Sequence, residues 1–294
     1  MRSRAPWLML APFLAVFAAF LVWPLLRSLV LAGQRSAGPG HQEWIGAGNL
    51  AFLLQDPLFW TAVGNTVLYA VLFVGVQLPL ALALALALDA RRLRARAWLR
   101  WAFFSPHLVG TVFIGVVFWK LLAKDPNAPV NAVWLTAAGW MGIAAAPIDW
   151  LGDPRWAMAS VLAAGLWMSV GYAMIYILAA LQGVDRTLYE AAAIDGASAW
   201  QRLRHVTLPG IAPTLGFLAL VALIGALQLF ELPYVLTGGP GPDQSTLTVV
   251  GYLYQQGFET GNLGYACAIG WALTAGIMLC SLAQLRLTRL HRDG

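Results

Sequence analysis

Charge is scarce in this chain. Asp, Glu, Lys and Arg make up only 11% of its 294 residues, where a soluble domain carries about a quarter. That excludes an ordinary soluble fold. Lysine is rarer still: Lys120 and Lys124 are the only two. Neither follows a glycine-rich loop, and no Gly-x-x-x-x-Gly-Lys-Ser/Thr phosphate cradle is present. The chain is therefore not expected to hydrolyse ATP itself. Its four histidines, His41, His107, His205 and His291, show no metal-ligand spacing, so no metal is expected. No Ser/His/Asp constellation or carboxylate pair marks a catalytic residue, which leaves a membrane-bound enzyme without a reaction centre. Cys267 and Cys280 fall in one apolar run. On a helix they lie roughly four turns apart, beyond disulfide reach, and read as small apolar side chains.

Apolar residues dominate instead, at 60%. Six runs approach the ~20 residues that a helix needs to cross a bilayer: Trp7–Leu26, Ala62–Leu88, Trp101–Leu122, Ala157–Leu181, Ile211–Phe230 and Tyr265–Leu285. The expected fold is an all-α membrane protein with about six transmembrane helices. Residues 1–60 read as a first transmembrane helix and outer loop, and 61–294 as the main transmembrane domain. Arg2 and Arg4 precede the first run, whose apolar stretch exceeds a signal-peptide core, so an uncleaved signal-anchor is expected.

With both termini in the cytosol, the inside segments hold Arg2, Arg4, Arg91, Arg92, Arg94, Arg96, Arg100, Arg186, Arg202, Arg204, Arg286, Arg289 and Arg292. The outside keeps Arg27, Arg35, Lys120, Lys124 and Arg155. Positive charge stays inside, as topology requires; the net charge of +5 therefore does not point to nucleic acid. The stretch Ala128–Ile148 is apolar enough to suggest a seventh span. Crossing there would turn Arg186, Arg202, Arg204 and the C-terminal arginines outward. It reads as an outer loop with a short interfacial helix, placing Trp134, Trp140 and Trp150 at headgroup level.

Between the fourth and fifth runs lies a polar, helix-prone island, residues 184–210. Thr187 and Glu190 have capping-box spacing, as do Ser198 and Gln201. Gly196 suits a left-handed stop, and Pro209 ends the second helix or begins the next span. Local chemistry thus predicts helix, glycine elbow, helix. Ala191, Ala192 and Ala193 let another surface approach closely.

The wording Leu188-Tyr189-Glu190-Ala191-Ala192-Ala193-Ile194-Asp195-Gly196, with Trp200 and Val206-Thr207-Leu208-Pro209 following, resembles the coupling loop of permease subunits in binding-protein-dependent ABC importers. It is most similar to the carbohydrate-uptake branch, the maltose and glycerol-3-phosphate type. Val206 stands where that pattern usually has Ile. Further matches are Asn65-Thr66, Pro106, Leu181-Gln182-Gly183-Val184, Phe230-Glu231, Leu236-Thr237-Gly238-Gly239-Pro240 and Gly264-Tyr265-Ala266. The resemblance runs from about Asn65 to the C-terminus.

It implies a type I permease fold in the bacterial cytoplasmic membrane. By the same resemblance Glu190, Ala191, Ala192, Asp195 and Gly196 couple the chain to an ATPase subunit. The implied partners are two ATP-binding subunits that hold ATP and magnesium, a second homologous permease, an extracytoplasmic substrate-binding protein and membrane lipid. This chain itself would hold no cofactor. The implied cargo is a sugar, and more narrowly an oligosaccharide. Glycerol-3-phosphate or a phosphodiester is an alternative cargo, though the spans show no obvious basic residues for it. An ion-coupled secondary transporter would show intramembrane carboxylates or broken helices at midplane, and leaves the loop unexplained.

Polar residues within spans are the candidate substrate contacts. Gln228 and Glu231, three apart, are expected on one helix face lining a hydrated path. Ser169 and Tyr172 share a face of the fourth span, and Tyr172 would offer its ring to sugar C–H groups. His107 reads as a residue near the inner end of the third span. The charge asymmetry gives a direct expectation. A topology reporter fused after Leu285 will read cytosolic, and one placed within 128–148 will read extracytoplasmic. An extracytoplasmic signal after Leu285 contradicts the six-span arrangement.

Overall fold

The computed structural model describes residues 5–36, 42–89 and 95–290; Arg2, Arg4, His41, Arg91, Arg92, Arg94, His291 and Arg292 lie outside them. The N-terminal elements are α1 (Ala5–Phe17), α2 (Trp23–Ala32), strands β1 (Gln34–Ser36) and β2 (Gln42–Trp44), α3 (Gly48–Gln55) and α4 (Pro57–Asp89). Next come α5 (Arg96–Leu108), α6 (Thr111–Leu121), α7 (Pro129–Trp140), α8 (Pro154–Gln182), α9 (Arg186–Ile194) and α10 (Ala199–Arg202). The C-terminal set is α11 (Leu208–Leu227), α12 (Glu231–Thr237), α13 (Val249–Tyr254) and α14 (Leu263–Leu290). Wide π turns at Ala18–Val22 and Leu203–Thr207 join α1 to α2 and α10 to α11.

Among the described residues, five helical stretches are long and apolar enough to cross a membrane: Met9–Ala32, Pro57–Asp89, Pro154–Gln182, Ala199–Leu227 and Leu263–Arg286. The third expected span, Trp101–Leu122, is not one straight helix. It is broken into α5 and α6, which bend by 102° at Val109 and Gly110, both in extended conformation. Pro106 in the last turn of α5 and Gly110 beyond it explain the stop. Helix α7 has 12 residues, roughly 18 Å, too short to cross. The stretch 128–148 is therefore not a seventh span. Asn131, fully buried, organises it: its Nδ2 donates to the carbonyls of Ala123 and Ile148, and its Oδ1 accepts from Ile148 N–H and Trp150 Nε1, all at 3.0 Å. Trp150 is thereby pinned inside the loop, while Trp140 stands 88% exposed.

The chain divides into two compact units, Met1–Trp60 with Val249–Gly276, and Thr61–Thr248 with Ile277–Gly294. In the second unit, Ala81, Ala85 and Leu88 of α4 pack against Val170, Ala173, Met174 and Ile177 of α8, and Ile211 and Leu218 of α11 join them. Small residues at such contacts let helix backbones approach in lipid, where van der Waals packing holds spans together. The closest approach is at Gly171, where any Cβ would overlap the Phe103 carbonyl oxygen. Above this core Tyr69, Phe73, Val161 and Ala164 pack with Leu232 and Leu236. Asn65 Nδ2 ties the glycine-rich turn that follows α12 to α4, donating to the carbonyls of Gln244 at 2.8 Å and Leu247 at 3.0 Å.

The first unit contains a short antiparallel hairpin, β1 on β2, which an all-α expectation omits. Its polar centre is Asp56, buried ahead of α4. The carboxylate caps that helix through the Leu58 N–H at 2.9 Å. It also accepts from the hydroxyls of Tyr252 and Tyr265, each at 2.5 Å. Burial works to raise the Asp56 pKa, but the two tyrosine hydroxyls and the Leu58 and Phe59 amides together hold it below the ordinary 3.8. Asp56→Ala leaves two buried hydroxyls without their acceptor, at a cost of about 2–5 kcal/mol, and will lower the melting temperature of the purified protein at pH 7. Because the folded-state pKa is depressed, the carboxylate's contribution is present above pH 3.8 and lost as pH falls through the folded value. The gap between wild type and variant will therefore close only in that acid range; equal melting temperatures at pH 7 contradict this role.

Candidate functional site

The loop between α8 and α11 is built from local capping chemistry. Asp185, not Thr187, caps α9: its carboxylate accepts the Thr187 N–H at 2.9 Å. That backbone bond, followed by one from the Thr187 side chain, holds the Asp185 carboxyl below its usual range. The Thr187–Glu190 pairing expected from spacing does not form, because an Asp two residues earlier takes the capping position. At the other end Gly196 has φ +77°. Its N–H bonds the Ala193 carbonyl at 3.2 Å, and the Ala197 N–H bonds the Ala192 carbonyl at 2.9 Å. This paired closure is a Schellman motif, which needs a left-handed residue at the turn. Ser198 and Gln201 then form the expected reciprocal capping box, opening α10.

Pro209 begins α11 rather than ending the loop helix. The helical path runs from Ala199 to Leu227, and the π turn at Leu203–Thr207 lies immediately ahead of the proline. A proline removes one backbone donor and crowds the preceding turn, and a wider turn relieves both. Tyr189 and Thr207 hydroxyls, 3.0 Å apart, tie α9 to this π turn.

The result is a helix pair that points apolar side chains into solvent. Leu188 is 53% exposed, Ile194 86% and Trp200 66%. Glu190, Ala191, Asp195 and Gly196 are exposed with them, and Ala192 is half-buried. Beside them lies an open groove of about 480 Å³, lined by Leu86, Tyr189, Trp200, Arg202, Leu203 and Thr207. The Arg202 Nε is buried there without an acceptor among the described residues. Such a surface suits a protein partner better than water.

The polar residues expected in the spans are placed differently. Gln228 is the C-cap of α11, Phe230 departs from helical geometry, and Glu231 begins α12. Gln228 and Glu231 are both exposed, but they do not share a helix face, because the helix has ended between them. Ser169 and Tyr172 do share a face of α8; Ser169 Oγ donates to the Gly165 carbonyl at 2.7 Å. Buried Gln77 donates to the Ser169 carbonyl at 3.3 Å, and its Oε1 finds no partner among the described residues.

Sequence reasoning missed the surroundings of Tyr172. Its ring lies 4.6 Å from that of His107 and 4.8 Å from that of Tyr176, tilted by 30° and 50°, and Tyr176 meets Phe217 at 6.4 Å. Tyr176 was legible as the next same-face residue after Tyr172; the contacts from His107 and Phe217 were not, since they cross between helices. Among the described residues no cluster of His, Cys, Asp and Glu gathers to hold a metal ion.

Comparison with known proteins follows the same lines. The model of the family described as binding-protein-dependent transport system inner membrane component matches residues 5–292. The lactose transport system permease protein LacF of Rhizobium radiobacter is 36% identical over 285 residues, covering 96% of this chain and 93% of that protein. The arabinooligosaccharides transport system permease protein AraP of Bacillus subtilis strain 168 is 32% identical over 287 residues, covering 98% and 89%. Among solved structures, a bacterial ABC transporter involved in import of the acidic polysaccharide alginate contains a chain of the same fold. Its TM-score is 0.79 at 23% identity, over 97% of this chain and 95% of that one.

Proposed function

We propose, from the premise that this chain belongs to the family of binding-protein-dependent transport system inner membrane components, that it carries a sugar, and more narrowly an oligosaccharide, across the cytoplasmic membrane. As a member of that family it is a multi-pass permease subunit of an ABC importer with the type I fold, and not itself an enzyme. The sugar assignment is carried by similarity along the whole chain to permeases for lactose and arabino-oligosaccharides.

In this reading a binding protein delivers the sugar on the outer side. A second, homologous permease pairs with this chain, and two ATP-binding subunits, holding ATP and magnesium, dock on the inner side. Both termini of this chain are cytoplasmic. The helix pair α9–α10 is the docking element. Leu188, Ile194 and Trp200 supply apolar contact, the small Ala191 and Ala192 allow close approach, and Glu190 and Asp195 supply charge. A partner carboxylate would complete the unpartnered Arg202 Nε in the adjoining groove. ATP-driven closure of the ATP-binding subunits moves α9 and α10, and the spans follow. Tyr172, Gln228 and Glu231 approach the hydrated path between the two permeases, because polar groups at membrane depth need water or protein as partners.

The test of cargo is ATP hydrolysis by the reconstituted complex, with its binding protein, against a panel of lactose, arabino-oligosaccharides and glycerol-3-phosphate. Stimulation by the sugars is expected; stimulation by glycerol-3-phosphate alone overturns the sugar assignment. The docking element has its own test. Gly196→Asp places a side chain at φ +77°, a conformation that L residues disfavour by about 1 kcal/mol or more, and sets a charge on the docking face. Sugar uptake will fall at least tenfold while the variant still reaches the membrane. Normal uptake together with undiminished co-purification of the ATP-binding subunit removes this loop from the coupling role.

A further inference from the structure

The hairpin 128–148 has an apolar tip and turns its polar side chains inward. Apart from its indoles, α7 carries two hydrogen-bonding side chains, Asn131 and Thr136. Asn131 is buried at the base of the hairpin and fully engaged there. Thr136 Oγ1 turns back and donates to the Ala132 carbonyl at 2.7 Å. Trp134 Nε1 donates across the hairpin to the Ala146 carbonyl at 3.3 Å. The helix end closes on itself as well. Gly142 has φ +67°; its N–H bonds the Gly139 carbonyl at 3.1 Å and the Ile143 N–H bonds the Ala138 carbonyl at 2.9 Å, a Schellman turn. Around that turn Trp140, Met141 and Ile143 are 88%, 62% and 52% exposed, and residues 126–148 include no charge. A helix that faces water carries polar residues on its outer face, and a surface that docks a protein has a polar rim. This tip has neither. Polar side chains bonded within the segment, under an apolar outer surface, are what contact with lipid demands.

We propose that the tip, residues 139–146, is a phospholipid-binding anchor that lies in the outer headgroup layer and reaches the acyl boundary with Trp140, Met141 and Ile143. The anchor is independent of the cargo. Its place in the chain agrees with it. The last turn of α6 carries Trp119 and Lys120, both exposed, with the ammonium 4.9 Å above the indole; such a pair marks where a span leaves the membrane. Ala123, whose carbonyl Asn131 holds, follows three residues later, so the hairpin departs from the membrane surface. At roughly 18 Å, α7 is long enough to lie along that surface. An indole suits the boundary, with an apolar body and a polar N–H. The returning leg, 143–149, is neither helix nor strand, so its open amides need headgroups or water, and this sets the depth at the interface rather than in the hydrocarbon core. The anchor reaches the spans through Asn131. That residue joins the end of α6 to Trp150, and the Trp150 carbonyl accepts the Ser160 hydroxyl of α8 at 3.0 Å. Lipid held at the tip therefore fixes the outer ends of α6 and α8 at one level.

The test uses the assembled transporter in nanodiscs of phosphatidylethanolamine and phosphatidylglycerol, with Cys267→Ser and Cys280→Ser as background. Ile143→Cys, which leaves Trp140 in place, and Asn127→Cys, a polar exposed site on the same loop, are introduced singly and carry a small environment-sensitive fluorophore. Two quenchers are compared: aqueous iodide, and a phosphatidylcholine with a spin label just below its headgroup. The label at 143 is expected to be quenched by the spin-labelled lipid and to respond to iodide about threefold less than the label at 127. Addition of the extracytoplasmic binding protein is expected to change neither value. Equal iodide quenching at 143 and 127, with no quenching by the lipid, places the tip in water and overturns the proposal. Protection of 143 from iodide that appears only with the binding protein shows a protein-docking surface and overturns it equally. Trp140→Asp puts a charge on the tip. It is expected to raise iodide quenching at 143 about threefold, towards the value at 127, because a charge is disfavoured at the acyl boundary. The complex will still assemble, since the side chain at 140 is exposed. An assembled Trp140→Asp complex with unchanged lipid quenching at 143 also overturns the anchor.

Discussion

Lipid offers a peptide group nothing to bond to, and the irregular parts of this chain are arranged around that constraint. Where α11 ends, the Gln228 N–H still reaches the Ile224 carbonyl at 3.2 Å, and the Leu229 carbonyl accepts the Thr248 hydroxyl at 2.7 Å. Where α4 begins, Asp56 supplies the acceptor and two tyrosines complete it. Where Pro209 would strip a donor from the chain, the preceding turn widens and the helix continues. The gap between α5 and α6 is closed by backbone bonds, from the Val109 N–H to the Pro106 carbonyl and from the Ile114 N–H to the Gly110 carbonyl, each at 3.2 Å.

Much of this was legible from sequence because its causes are local. Apolar runs marked the spans, and the Ser198–Gln201 spacing and Gly196 marked the elbow. The misplaced features have identifiable physical reasons. Hydropathy counts apolar residues without direction, so a run bent by 102° reads like a straight one, although Pro106 and Gly110 were there to be noticed. Gln228 and Glu231 were joined by extending helical periodicity past the point where the helix stops. Thr187 gave way to Asp185 because Asp185 holds the extended position just ahead of the helix, where its carboxylate meets the Thr187 N–H, while Thr187 already lies inside α9.

Other features were not legible at all. Asp56 meets Tyr252 and Tyr265 across 196 and 209 residues of chain, and nothing in either local segment announces the other. The His107–Tyr172 pair has the same character. It is produced by a glycine, Gly171, whose effect is to let two helices touch. Sequence reasoning finds residues whose role is fixed by their neighbours in the chain. It loses those whose role is fixed by what a small residue elsewhere allows to come near.

The π turn ahead of Pro209 carries the helical path across the proline, from the proposed docking element into the apolar span. From Ala199 to Leu227 the backbone follows one helical path, roughly 43 Å long, with Pro213 inside it and its foot tied to α9 through Tyr189 and Thr207. In the coupling proposed above, a push on the foot of this path is conveyed along a helix instead of being absorbed in a loop, and the length of that helix sets how far the movement reaches.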